Sequence, residues 1–350
     1  MKKLMNYAIY SNEKLSIDGL DVFYVGVENI LPNKKGIKPS SFVPKTGKYT
    51  KFDKNDILLG NIGPYLKKIW LADKSGLASP DVLVIKPLES RFGKYIYANL
   101  LNDSFFQYAM LGVKGSILPR CDKSHIMNYS IPDVKNKEKI GDFIYFINKK
   151  IELNNKINDN LEKQMNFIFK NMMSKAMNNK IKGEYVSVKN LTQVVTGKED
   201  ANFSDENGKY KFFTCSNEAL KCNEYRFNSS SVLIAGNGDF NVKHYTGKFN
   251  AYQRTYVLTP QKDYYALLYL SSVERINALK LRSTGSIIKF ITKNDIESIP
   301  VFIPWDKNIL NILNQLLSLK DKKSNENEYL ASLRDYLLPL LLNGQVAIED

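Results

Sequence analysis

Apolar residues follow two different periods along this chain, and the change from one to the other happens twice. From Ile140 the positions Ile144, Ile147 and Ile151, then Asn154 and Asn158, then Leu161, Met165, Ile168 and Met172 advance by alternating steps of four and three. That spacing lines one stripe of a long helix. Ile312, Leu316 and Leu319, then Lys323 and Glu326, then Leu330, Leu333, Leu337 and Leu340 repeat the stripe 172 residues later, again with a polar middle. A helix from Lys139 to about Ser174 would extend roughly 50 Å at 1.5 Å per residue. Ahead of each stripe the apolar runs are short and divided by Gly, Pro, Asn and Asp, the punctuation of strands and turns. They fall at 22–27, 57–59, 69–71 and 82–85 in the first half, and at 210–214, 232–235, 242–245 and 255–258 in the second. Helical spacing predicts shorter helices at 94–110 and 264–281.

The two halves also match in words. DILLGNIG (56–63) aligns with SVLIAGNG (231–238), and LASPDVLVIKP (77–87) aligns with NAYQRTYVLTP (250–260). GSIL (115–118) then aligns with GSII (285–288), and IP at 131–132 with IP at 303–304. The offsets stay between 170 and 175 residues and the order is kept, which marks an internal duplication. The expected fold class is α+β: two similar α+β domains at 1–132 and 181–304, and a pair of long helices at 133–180 and 305–350. A pseudo-two-fold axis would pack those helices antiparallel, as a coiled coil, with the heads at opposite ends. A parallel pairing would also bring the polar centres together, so the choice rests on symmetry.

Charge narrows the partner. The 350 residues carry a formal net charge of +14, which suits a polyanion; abundant Lys and Asn, as in proteins from AT-rich genomes, would account for part of it. Seven of the 50 basic residues are Arg, and Lys acts on phosphate as a point charge where Arg can fork onto a base edge. Three cysteines without a paired framework suit a reducing cytoplasm. The opening MKKLMNYAIY is too short and too polar for a secretory signal, and no run of 18 apolar residues occurs. Catalytic motifs are missing too. The three TGK triplets lack the glycine of a phosphate loop, GNGDFN (236–241) has Asn241 where a dinucleotide fingerprint needs Gly, and His125 and His244 are the only histidines. An enzyme, a metal site or a cofactor on this chain is therefore not expected.

LASLRDYLLPLLLNGQVAIED (330–350) closes the second stripe, and VLIAGNGD (232–239) with FNAYQRTYVLTP (249–260) precedes it. In these segments, and in the plan of two heads each followed by a long helix, the chain resembles the specificity subunit of a type I restriction–modification system. Gln is frequent in that family shortly before each long helix, and neither IPDVKNKEKI (131–140) nor IPWDKNIL (303–310) has one. The resemblance implies that each head reads one half of a split double-stranded DNA target while the helices set the unread gap. It also implies that the helices dock methyltransferase (modification) subunits, two of them, and that a restriction and motor subunit joins. Cofactors would then belong to those partners: S-adenosylmethionine for methylation, and ATP with magnesium for restriction. A stand-alone nucleic-acid binder without enzyme partners is the alternative, and it leaves the apolar tail unexplained.

Reading a base edge calls for paired donors and acceptors, which Asn, Gln and Arg present best. The candidates are Asn237, Asp239, Asn241, Gln253 and Arg254 in the second head and Asn61, Tyr65, Ser79 and Asp81 in the first. Asn61 and Asn237 can equally be turn residues. Phosphate candidates are Lys34, Lys35, Lys45, Lys48, Lys51, Lys67, Lys68, Lys114 and Ser116, with Lys243, Lys248, Lys280, Arg282, Ser286 and Lys289 in the second head.

Overall fold

The computed structural model describes residues 1–17, 22–115, 118–282 and 290–348. The chain divides into two compact units, 1–155 with 325–350, and 156–324. Each holds one head and a portion of both long helices, Lys137–Met177 and Lys307–Leu342.

In the first unit Lys2–Lys3 pairs antiparallel with Ser130–Ile131 and closes the head at its chain ends. One four-stranded sheet has the order Ala8–Tyr10, Val82–Pro87, Ile57–Gly60, Ile69–Leu71; a second has Lys14–Ser16, Lys48–Phe52, Gly76–Ala78, Tyr24–Val25. The unbroken apolar runs ILL, IWL and VLVI are explained by burial on both faces. Ile57, Leu59, Ile69, Leu71, Leu83 and Ile85 face the helices Gly93–Leu100 and Asp103–Leu111, meeting Tyr95, Ile96, Leu100 and Phe105. The alternate residues Leu58, Trp70, Val82 and Val84 pack on Val25, Ile30 and Phe52. The predicted helix at 94–110 is thus two helices, parted at Asn102, whose side chain caps the second by accepting from the Ser104 N–H at 3.0 Å.

In the second unit Gly183–Ser187 pairs with Pro300–Pro304. A six-stranded sheet follows, in the order Val194–Thr196, Thr255–Leu258, Phe227–Ala235, Val242–Ala251, Tyr210–Phe213, Leu220–Cys222. The helix Tyr265–Arg282 covers it.

The two heads share one topology. Pairing of Ile57 with Leu71 and Ile85 in the first corresponds to pairing of Val232 with His244 and Leu258 in the second. The parallel pair Val25 and Ala78 corresponds to Phe213 and Ala251. Strands that run unbroken in the second head, Phe227–Ala235 and Val242–Ala251, are each interrupted in the first, so one sheet becomes two. The first interruption is the turn through Asn55, whose φ of +73° a β-branched residue would resist.

Within each unit the long helices pack antiparallel. In the first, Arg334 bonds Asn148 at 2.8 Å and Asn327 bonds Asn154 at 2.9 Å, so numbers rise on one helix as they fall on the other. In the second, Asn158 bonds Ser324 at 3.1 Å and Lys320 bonds Glu162. The polar middle of each stripe is therefore a hydrogen-bonded layer: Asn154 is fully buried and donates to Glu326 and Asn327. Ile140, Ile144, Ile147, Leu161 and Met165 are buried as the stripe predicts, Ile151 and Ile168 are half-buried, and Phe169 is the buried neighbour of Ile168.

The second stripe needs correction by one residue. Ile312 and Leu319 are exposed, and Leu316, Leu330, Leu333, Leu337 and Leu340 are half-buried, Leu316 and Leu337 packing on the cores from the side. The buried positions are Leu313, Leu317, Arg334, Leu338 and Leu341, joined by Leu310. Leucines stand side by side at 316–317, 337–338 and 340–342, so two adjacent stripes satisfy the same spacing and packing selects between them. The helix ends in a Schellman motif: Gly344 has φ +72°, its N–H reaches Leu341 O, and Gln345 N–H reaches Leu340 O.

Candidate nucleic-acid interface

Each head has one corner where a strand end, a returning turn and the approach to a short helix meet. In the second head Gly236 N–H donates to Arg254 O at 2.9 Å, and Ile291 N–H donates to Gly236 O at 2.8 Å. In the first, Asn61 N–H donates to Asp81 O at 2.9 Å, and Cys121 N–H to Asn61 O at 3.0 Å. The short helices Lys123–Met127 and Lys293–Glu297 start directly after, capped by Asp122 and Thr292. Backbone bonds therefore match Asn61 with Gly236 and Asp81 with Arg254, and the chemistry at both matched places differs.

The second corner opens on a cleft of about 420 Å³ lined by Asn237, Gln253, Arg254, Tyr256, Phe290 and Lys293, among others. Gly236 permits it: a Cβ there would stand 2.7 Å from Arg254 O. The backbone of the turn is tied down, since Gln253 N–H bonds Glu199 O at 2.9 Å and Thr255 N–H bonds Tyr252 O at 2.8 Å. The side chains of Gln253 and Arg254 stay exposed, so two groups of planar hydrogen-bonding geometry project from a fixed support. Tyr256 donates its hydroxyl to Ile291 O at 3.0 Å and braces the far wall.

Asp239 is exposed beside this turn, but Asn241 points inward, donating to Cys215 O at 2.8 Å. Lys243 is also turned inward. Its ammonium donates to the carbonyls of Thr214, at 2.9 Å, and Ser216, and burial pushes its pKa down to about 8.

In the first corner Asp81 holds Arg120 at 2.8 Å, and the half-exposed guanidinium stands at the surface. Asn61 and Ser79 are buried. Tyr65 is exposed on a tight turn between Gly63 (φ +61°) and Lys67 (φ +51°).

Several phosphate candidates already have partners within the chain. Lys34 and Lys67 share Asp103, at 3.0 and 2.9 Å, and Lys34 also donates to Leu101 O. Lys68 donates to Val27 O at 2.8 Å, and burial lowers its pKa. Lys51 pairs with Glu13 at 3.0 Å and Lys114 with Asp122 at 2.6 Å. Lys248 lies 4.6 Å over the Tyr225 ring. Lys35, Lys45, Lys48 and Lys280 are exposed. Arg282 closes its helix, its side chain outside the described residues, and Ser116, Ser286 and Lys289 lie outside them entirely.

Sequence reasoning missed Arg120, Phe290 and Lys293. The capping box Thr292 to Asp295 was a readable signal for the wall of the second corner. Nothing local ties Arg120 to Asp81, 39 residues away. Among the described residues no group of His, Cys, Asp and Glu could hold a metal ion, and no helix is long and apolar enough to cross a membrane.

Residues 180–329 match the family described as type I restriction modification DNA specificity domain. The chain is 37% identical, over 171 residues, to the type I restriction enzyme EcoDI specificity subunit of Escherichia coli. That alignment covers 47% of this chain and 38% of that protein. The crystal structure of the type I restriction–modification S subunit from M. genitalium matches with a TM-score of 0.62 at 16% identity, over 96% of this chain and 94% of that one. That likeness is one of fold: two α+β heads and long helices.

Proposed function

We propose that this chain is the DNA-specificity subunit of a type I restriction–modification complex, with each head reading one half of a bipartite duplex target. The observation that carries this reading is the repeated corner: one backbone frame, used twice, presents Gln253 and Arg254 in the second head and the Asp81–Arg120 pair in the first. A duplicated reader with different side chains at matched points suits two different half-sites. Arg254 has the fork that binds guanine O6 and N7, and Gln253 the amide that binds adenine N6 and N7. Asp81 orients Arg120, one of the seven arginines, for the first half-site. Exposed lysines such as Lys45, Lys48 and Lys248 supply sequence-independent phosphate attraction.

The long helices dock two methyltransferase subunits, which carry S-adenosylmethionine, and a restriction subunit using ATP and magnesium joins them. This chain contributes recognition and no reacting group. Co-purification tests the assembly: tagged chain expressed with its neighbouring modification subunit should yield a stable complex that methylates DNA, and methyl transfer by the purified chain alone would overturn the reading.

A further inference from the structure

Each head rests on its own part of the long helices, and the two seats are built from matched residues 172 positions apart. In the first unit Lys149 and Arg334 are the seat's cations; the matched residues in the second unit are Asp321 and Glu162, both anions. The correspondence is geometric. Arg334 donates to Asn148 at 2.8 Å, and the equivalent pair is Lys320 donating to Glu162. Each set has its own partners on the helices: Glu152 and Asp335 lie on Lys149 and Arg334 in the first seat, and Lys320 lies on Glu162 in the second.

The heads answer these seats in kind. A tyrosine stands over each, Tyr97 and Tyr269, also 172 apart and both buried. Burial raises both phenols; Arg334 counters that at Tyr97, whereas Glu162, hydrogen-bonded to Tyr269, adds to it. On the sheet side Lys149 holds Asp73 at 3.0 Å, and Asp321 lies 3.1 Å from His244 Nδ1. His244 occupies the ladder position of Leu71, and Asp73 lies two residues further along, in the bend that follows the strand.

We infer that the oppositely charged seats are a key that assigns each head to its own place, so that the two readers are not interchangeable. A head in the wrong seat, within one chain or exchanged with a second copy, would set the Asp73 carboxylate against Asp321 and leave Lys149 without its carboxylate partner from the head. Like charges taken from water into such a contact oppose assembly, and specificity often depends on such repulsion. Seating is independent of DNA reading; only its consequence, a fixed order of the two half-sites along the target, rests on the function proposed above.

The test uses the full chain and hydrogen exchange at residues 69–78, without DNA. Asp73→Lys and Lys149→Asp should each speed exchange there about tenfold or more, and the double variant, with the pair reversed, should return it to within about threefold. Reversing the whole seat with Lys149→Asp and Arg334→Glu should loosen the first head, and adding Asp73→Lys should tighten it again. Should a reversal variant not fold, Lys149→Met against Asp73→Asn gives the same cycle without like charges. Singles that exchange as the parent does, or a reversed pair as loose as its singles, would overturn the key.

Discussion

At the residue scale, side chains of one type divide by what the fold asks of them. Lys67 and Lys68 look alike in sequence, yet Lys67 ties Asp103 and Lys68 donates to a carbonyl. Lys67→Ala with Lys68→Ala should therefore lower the melting temperature and leave the salt slope of DNA binding nearly unchanged. Lys45→Ala with Lys48→Ala should instead leave melting alone and reduce the slope by about one for each phosphate no longer neutralised. Titration of DNA binding against salt, beside thermal melts, separates the two.

Carboxylates give a signed pH prediction. Lys114, the Ser124 hydroxyl and the His125 N–H hold Asp122 well below its ordinary 3.8, and Lys137, Lys2 and Tyr7 do the same for Asp133. Their folded pKa values are depressed, so their stabilisation is full above the unfolded value and is lost as pH falls below about 4. Melts of the parent should drop through that window, and Asp122→Asn with Asp133→Asn should flatten the drop while lowering stability at neutral pH.

At the element scale, period and punctuation located the central strands of each head and both long helices, because burial on one stripe or on both faces leaves a local trace, while edge strands such as Lys14–Ser16 and Leu220–Cys222 left none. The register of the second helix was not legible: where Leu337, Leu338, Leu340, Leu341 and Leu342 crowd together, only the facing helix decides which go inward. For the site, the sequence pointed to Gln253 and Arg254, and the structure sets both on one cleft. Asn241 and Lys243 were misleading, since the carbonyls they bond belong to a loop 26 to 29 residues earlier.

The polar layer makes its own prediction. Asn154 is fully buried and donates to both Glu326 and Asn327. Asn154→Ala should cost about 1–3 kcal/mol by removing the buried donor that Asn327 Oδ1 accepts from, read from urea denaturation. Unchanged stability would mean that water replaces the amide without loss.

At the scale of the whole molecule, duplication accounts for the repeated backbone frame, and divergence accounts for the two sets of side chains carried on it. One sheet in the second head corresponds to two in the first, and the corner bonds are kept in both. If the helices set the unread gap, lengthening both by a matched heptad, after Lys150 and after Ala331, should add about three base pairs, from 1.5 Å per residue and 3.4 Å per pair. The sequence read by each head should stay the same.

The most direct measurement is the methylome of a host carrying the complex with the parent chain, compared with one carrying Gln253→Ala and Arg254→Ala. The account predicts a split motif in which only one half relaxes, at about 1–3 kcal/mol for each bidentate pair removed, while the other half is read as before. A folded variant that methylates the parent motif unaltered, or whose two halves relax together, would contradict it.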